Sequence, residues 1–146
     1  MIFAIKSFRS MERTLKILSL SVGMILAFAG ISRAQNGEYD VFVPISKYIS
    51  QGDGESLSAW FADNLDVNIG SGSSNCSKSQ ARQIVKGFFE TNQPRSFTIS
   101  HTAGKNNMKY AIGTLKTGGE TFLVTIFVNM EGTGYKIQHL KIEPMP

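Results

Sequence analysis

Beyond residue 40, apolar residues first recur with the period of a helix. In segments 43–51, 55–63 and 77–92 they lie three or four positions apart, which predicts three amphipathic helices. Segment 65–69 alternates as a short strand, and the Gly- and Ser-rich segment 70–75 is predicted to be a turn. The expected buried faces of the helices consist of Ile45, Tyr48, Ile49, Leu57, Trp60, Phe61, Ala81, Ile84, Val85, Phe88 and Phe89.

Residues that favour helix ends flank these segments. Gly52 suits the end of the first helix, because glycine adopts the left-handed conformation found there. Asp53 is the predicted N-cap of the second helix. Ser77 and Gln80 have the spacing of a capping box, and the third helix is expected to end before Pro94.

After Pro94 the apolar period changes from helical to two, which predicts strands to the end of the chain. Segment 121–130 is apolar on both faces for part of its length and is therefore expected to be a central strand. Alternation places Phe97, Ile99 and His101 on one face of their strand. In the last strand, the same alternation places Tyr135, Ile137 and His139 on one face and Leu140 and Ile142 on the other.

The short connections between these strands favour an antiparallel meander. Helices that precede a meander predict an α+β fold in which the helices cover one face of the sheet. The expected architecture is three N-terminal helices packed on a curled, mainly antiparallel sheet of four to five strands.

Residues 1–34 have the three parts of a secretory signal peptide. A basic stretch ends at Lys16, residues 17–32 are uncharged, and Ser32 and Ala34 are small residues suited to a cleavage site. Met11 is an alternative start that would give a more ordinary leader. Cleavage near Ala34 predicts one soluble domain, residues 35–146, in the periplasm or outside the cell. Membrane contact is then expected only through the transient signal peptide.

The net charge of +4 belongs entirely to this leader. Residues 1–34 hold five basic residues and one acidic residue, whereas residues 35–146 hold ten of each. A neutral domain argues against nucleic-acid binding, which needs a basic face for the phosphates. No metal-binding or nucleotide-binding motif is present, so no metal or cofactor is expected. The single cysteine, Cys76, is either an incidental loop residue or a reactive thiol.

The order of helix, helix, strand, helix and then strands resembles the nuclear transport factor 2-like fold, also called SnoaL-like or cystatin-like. Within that fold the chain resembles a bacterial family of small exported proteins, domain of unknown function 4783. The resemblance rests on a Gly-Asp pair followed by an amphipathic helix in residues 52–61, and on segments 77–81, 88–89, 94–97, 110–115 and 135–143. Cys76 departs from it, because an aromatic residue is expected there. The family implies a cone-shaped fold but no activity, so no functional residue is transferred from it.

An open cone would be an apolar pocket with a few polar groups. Its predicted lining is Trp60, Phe88, Tyr110, Tyr135 and His139. A proton-transfer reaction would need a general base in that pocket, and the domain offers only His101 and His139 as histidine candidates.

Three functional hypotheses remain open. The first is a non-catalytic exported module that binds an unknown small ligand or protein partner through the pocket or the outer sheet face. The second is a small-molecule isomerase or cyclase with a pocket histidine as base. The third is an interaction protein with a filled cone, which forms a homodimer through its sheet face.

Overall fold

The computed structural model describes residues 36–146; the predicted signal peptide lies outside these residues. A 3-10 turn, Asn36–Tyr39, precedes three helices and six strands. The helices are α1 (Phe42–Gln51), α2 (Gly54–Ser58) and α3 (Lys78–Thr91). The strands are β1 (Phe61–Ile69), β2 (Gly72–Ser77), β3 (Pro94–Lys105), β4 (Met108–Thr117), β5 (Thr121–Glu131) and β6 (Gly134–Pro144).

The predicted helix ends are confirmed where local chemistry defines them. Gly52 ends α1 in the left-handed conformation, with φ of 66°. The Asp53 side chain accepts the backbone N–H of Ser56 and caps α2. Ser77 and Gln80 form the complete capping box at the start of α3. These three caps fix where the chain turns between the helices and the sheet.

Two segments differ from their predicted structure. The second helix was expected over 55–63 but ends at Ser58, and Phe61 already belongs to β1. Segment 70–75 was expected to be a turn, but residues from Gly72 onward form β2, which pairs with β1. In both segments, backbone pairing to β1 or β6 overrides the local helical or turn preference.

All six strands form one sheet in the order β2-β1-β6-β5-β4-β3, rather than the expected four or five strands. Strands β3 to β6 form the predicted antiparallel meander. Strand β1 pairs with β6 in parallel, so the sheet is mixed. The fold class is the predicted α+β arrangement with a curled sheet.

Two irregularities in strand pairing reverse the predicted faces of β3 and β6. In β3, Ile99 pairs with Gly113 but His101 pairs with Ile112, so one extra residue, Ser100, lies between them. His101 is consequently exposed on the face opposite Phe97, and the prediction that these residues share a face is wrong.

The same correction applies to β6, where the pairing shifts between Ile137 and His139. Ile137 is fully buried together with Leu140 and Ile142, and His139 lies on the other face. The prediction that Ile137 and His139 share a face is therefore wrong. One inserted residue, Gln138, is sufficient to cause the reversal, because side chains alternate along a strand.

Candidate functional site

The space between the helices and the sheet is filled with side chains. Phe88 on α3 contacts Phe122 on β5 edge-to-face, with ring centroids 5.1 Å apart. Phe97 on β3 covers Gly113 on β4 so closely that an added Cβ at Gly113 would lie 2.6 Å from the ring. At the centre of the sheet, the inward residues Val124 and Ile126 are completely buried. The interior of the domain is thus a packed core.

Hollows formed by the described residues lie at the surface. One of about 260 Å³ lies beside the turn between α1 and α2, and one of about 310 Å³ lies between α1 and β3. Two more, of about 430 and 230 Å³, flank β2 and α3 and share Ser74 and Ile84. None of these four hollows is lined by any of the five residues predicted to form a pocket.

The structure divides those five residues between the two faces of the sheet. Phe88 is buried in the core, and Trp60 and Tyr135 are half-buried against it. Tyr110 and His139 lie on the opposite face, which we call the outer face. The five side chains are therefore not brought together around one cavity, because the irregularity in β6 places His139 away from Ile137 and the helices.

On the outer face, four rings form a continuous row across four strands. The centroids of His101 and Tyr110 are 5.8 Å apart, those of Tyr110 and Phe127 are 5.5 Å apart, and those of Phe127 and His139 are 5.8 Å apart. We call these four residues the ring row. These spacings are within the range in which aromatic pairs attract each other. No helix within residues 39–146 covers this row, so its rings are only partly buried.

Both histidine candidates belong to the ring row. The Tyr110 hydroxyl and Nε2 of His101 form a hydrogen bond of 3.4 Å. His139 has its Nε2 atom enclosed by neighbouring side chains, with no hydrogen-bond partner among the described residues. A histidine–tyrosine pair can transfer a proton, but on this open face nothing in the described chain encloses a substrate or excludes water.

A polar group continues the ring row beyond His139. Asp66 on β1 is the direct pairing partner of His139 on β6. Its carboxylate accepts a hydrogen bond of 2.8 Å from the side chain of Asn75 on β2. The outer face therefore has a carboxylate and an amide at one end and a hydroxyl and an imidazole at the other. The sequence alone does not predict this arrangement, because it depends on strand order.

Among the described residues, Lys109 is the one charged residue that is buried, and it lies on the core face of the sheet. It is not among the candidate residues predicted from the sequence. It is 7% exposed, and its ammonium group lies 5.4 Å from the ring of Tyr39 and 5.1 Å from that of Tyr135. The Tyr135 hydroxyl donates to the carbonyl oxygen of Asn106. Both rings stabilise the cation through cation–π attraction. The sequence does contain a signal for the burial of Lys109, because it lies two positions before Ala111 and therefore on the same apolar face of β4.

Cys76 is buried in β2, and its thiol contacts the carbonyl oxygen of Leu65 at 3.8 Å. Burial raises the pKa of this thiol, and the nearby carboxylate of Asp66 adds to the effect. A raised pKa lowers the fraction of reactive thiolate, so Cys76 is a core residue of low reactivity.

Within residues 36–146, no group of three or more His, Cys, Asp or Glu side chains is arranged to hold a metal ion. None of the helices in this part of the chain has the length and apolar character needed to cross a bilayer.

A family model, domain of unknown function (DUF4783), matches residues 42–143. The chain belongs to the DUF4783 family. The matched region runs from the first residue of α1 to the end of the sheet, so it includes the core and the outer face. No curated protein matches the chain.

Several solved structures have a fold similar to that of this DUF4783 domain. A DUF4783 protein from Bacteroides ovatus has a TM-score of 0.69 and 23% identity, covering 71% of this chain and 94% of that one. A cystatin-like protein of unknown function from Nostoc punctiforme has a TM-score of 0.58 and 16% identity, covering 73% and 87%. An NTF2-like protein of unknown function from Cytophaga hutchinsonii has a TM-score of 0.53 and 11% identity, covering 73% and 88%. This DUF4783 domain therefore has the nuclear transport factor 2-like fold that its sequence resembles.

Proposed function

We propose that this DUF4783 protein is an exported, non-catalytic binding or accessory module that contacts its partner through the outer face of the sheet. The ring row is the observation that carries the proposal. Four adjacent rings on a face that no described helix covers form an apolar surface with polar ends, which is the composition of a protein interface. The charge pattern of residues 1–34 supports export.

The packed core favours the outer face over the predicted cone pocket as the binding surface. Ligand sites of small molecules are usually preformed cavities. The inward positions of the sheet are occupied by core side chains, and Gly113 is covered by Phe97. The same packing favours, as the second candidate, an interaction protein with a filled interior over an enzyme with a pocket histidine.

Site-directed photo-crosslinking tests this function. In a Cys76→Ala background, Thr125→Cys places a benzophenone label on the outer face beside Phe127 and leaves the ring row intact. Lys47→Cys places the same label on the exposed side of α1 as a matched control. The labelled proteins are irradiated alone and in an extract of the compartment to which the protein is exported.

A discrete crosslinked product from position 125, absent from position 47, is the expected result. Equal products from both positions, or none from position 125, would overturn the proposal that the outer face is the binding surface.

A further inference from the structure

We infer that the free edge of β2 binds an extended peptide segment of a partner protein, with uncharged side chains at the positions that point toward α3. The segment would pair with β2 as an additional strand of the sheet. This surface is separate from the outer face, so the inference goes beyond the proposed function. Binding by strand addition needs unpaired backbone groups along a sheet edge and space for alternate side chains, and β2 has both.

The edge of β2 that faces away from β1 carries unpaired backbone groups. Strand β2 lies at one end of the sheet, and β1 is its pairing partner. In an antiparallel pair, every second residue directs its N–H and C=O away from the partner strand. The N–H of Ser77 donates to the side chain of Gln80, so Ser77 is one of these residues. By alternation Ser73 and Asn75 are the others, and no described backbone group outside the sheet bonds to them.

Small side chains on the inward side of β2 leave space between this edge and α3. The inward residues of β2 are Gly72, Ser74 and Cys76, and two hollows of about 430 and 230 Å³ lie beside them. Ser74 and Ile84 line both hollows. The smaller one has the volume of about eight waters of about 30 Å³ each, which is enough room for an aliphatic side chain. A strand added at this edge would direct the side chain opposite Ser74 into this space.

The lining of the two hollows indicates which side chains fit there. Ile69 and Ile84 are half-buried, so an aliphatic side chain that covers them removes further apolar surface from water. A charged side chain in the same place would lose water without gaining an opposite charge, because none of the lining residues is charged. The lining consists of Val67, Ile69, Gly72, Ser73, Ser74, Asn75, Cys76, Ser79, Gln80, Gln83 and Ile84.

The opposite edge of the sheet has features that oppose strand addition. Strand β3 begins with Pro94 and carries Arg95 and Lys105 near its ends, and the extra residue Ser100 interrupts its pairing. Proline, charged side chains and extra residues are features by which edge strands avoid pairing with other chains. Strand β2, with the sequence Gly-Ser-Ser-Asn-Cys-Ser and an uninterrupted register, has none of them. This contrast favours β2 as the edge that accepts a strand.

Selection from a phage-displayed library of random octapeptides on the purified protein tests the inference. Enriched peptides are synthesised with a fluorophore, and their dissociation constants are measured by fluorescence anisotropy. We expect peptides with aliphatic or uncharged polar residues at alternate positions. A selection that enriches no peptide, or that enriches peptides with charged residues at every position, overturns the inference.

Two variants of β2 locate the peptide. Ser73→Pro removes an N–H that points away from β1, and Ser74→Phe places a ring in the hollows; each should raise the dissociation constant about tenfold or more. Ser73→Ala is the matched control, because it keeps the backbone N–H, and it should bind like the wild type. Circular dichroism verifies that each variant folds. A peptide that binds both Ser73→Pro and Ser74→Phe as tightly as the wild type overturns the inference.

Methylation of the peptide backbone tests strand addition without changing the protein. An added strand uses only one of its two edges to pair with β2. N-methyl groups on alternate residues along that edge should abolish binding, whereas N-methyl groups along the other edge should change the dissociation constant less than about threefold. Equal effects of the two methylated peptides overturn strand addition.

A second copy of this chain is the competing occupant of the β2 edge. Analytical ultracentrifugation of the wild type and of Ser73→Pro distinguishes the two occupants. Equal sedimentation of the two proteins supports the peptide segment as the occupant. A wild-type dimer that Ser73→Pro dissociates overturns it in favour of self-pairing.

Discussion

The close contact between Gly113 and Phe97 provides a test of the packed interior. A Cβ added at Gly113 would lie 2.6 Å from Cζ and 2.7 Å from Cε1 of Phe97, and 2.9 Å from the carbonyl oxygen of Thr98. Carbon atoms in good contact are about 3.5–4.0 Å apart. Gly113→Ala must therefore displace a buried ring and a neighbouring backbone strand at the same time.

The expected cost follows from two opposing effects. Overpacking a core typically costs about 1–3 kcal/mol. Replacing glycine in an extended strand restricts the unfolded chain and returns about 0.4–1 kcal/mol. Because one of the contacts is backbone and cannot rotate away, we expect a net destabilisation of about 1–2 kcal/mol. For a urea dependence of about 1.5 kcal/mol/M, the unfolding midpoint falls by about 1 M.

Urea unfolding followed by circular dichroism measures this shift, with Gly134→Ala as the matched control. Gly134 also lies in a strand, but an added Cβ there would meet no atom within 4 Å. Combining Gly113→Ala with Phe97→Leu should cost less than the sum of the two single changes, because the smaller side chain relieves the overlap. A midpoint for Gly113→Ala equal to or above that of Gly134→Ala would refute the packed interior.

Three further changes have defined outcomes. Ser77→Ala removes the side-chain cap of α3 and should lower the free energy of unfolding by about 1 kcal/mol in a urea titration; an unchanged midpoint would contradict the role of the cap. Gly52→Ala forces alanine to adopt a φ of 66° and brings its Cβ to 3.0 Å from Cδ of Pro94, so thermal melting should show a clear loss of stability. Because burial and Asp66 raise the pKa of Cys76 in the folded protein, the unfolded state loses the thiol proton at a lower pH. The free energy of unfolding should therefore decline as pH rises through about 8.5, and that of Cys76→Ala should decline less between pH 7 and 9.5.

The helix ends were predictable because their causes are local. The capping box of Ser77 and Gln80 closes within three residues, and Gly52 ends α1 through its own backbone conformation. The meander of β3 to β6 was predictable for a similar reason, since strands joined by short connections usually pair with each other. The family resemblance was carried by these same local segments and their order.

The candidate site was less predictable than the fold. Segment 121–130 was predicted to be apolar on both faces, and in the structure Phe127 lies on the face opposite Val124 and Ile126. Sequence alternation misplaced His101 and assigned His139 to a pocket lining, because each follows an irregularity in strand pairing. An extra residue in a strand is recognised only against its partner strand, so nothing in the local sequence distinguishes Ser100 from its neighbours.

By itself, the sequence determined the α+β class, the helix caps, the family and the neutral charge of residues 35–146. These properties depend on residues that are close along the chain or on composition alone. The tertiary structure decided that β1 pairs with β6, that the interior is packed, and that both histidines lie on the outer face. These properties depend on pairing between residues more than seventy positions apart in the sequence, such as Asp66 and His139. One inserted residue in such a pairing reverses the face of every residue that follows in the strand.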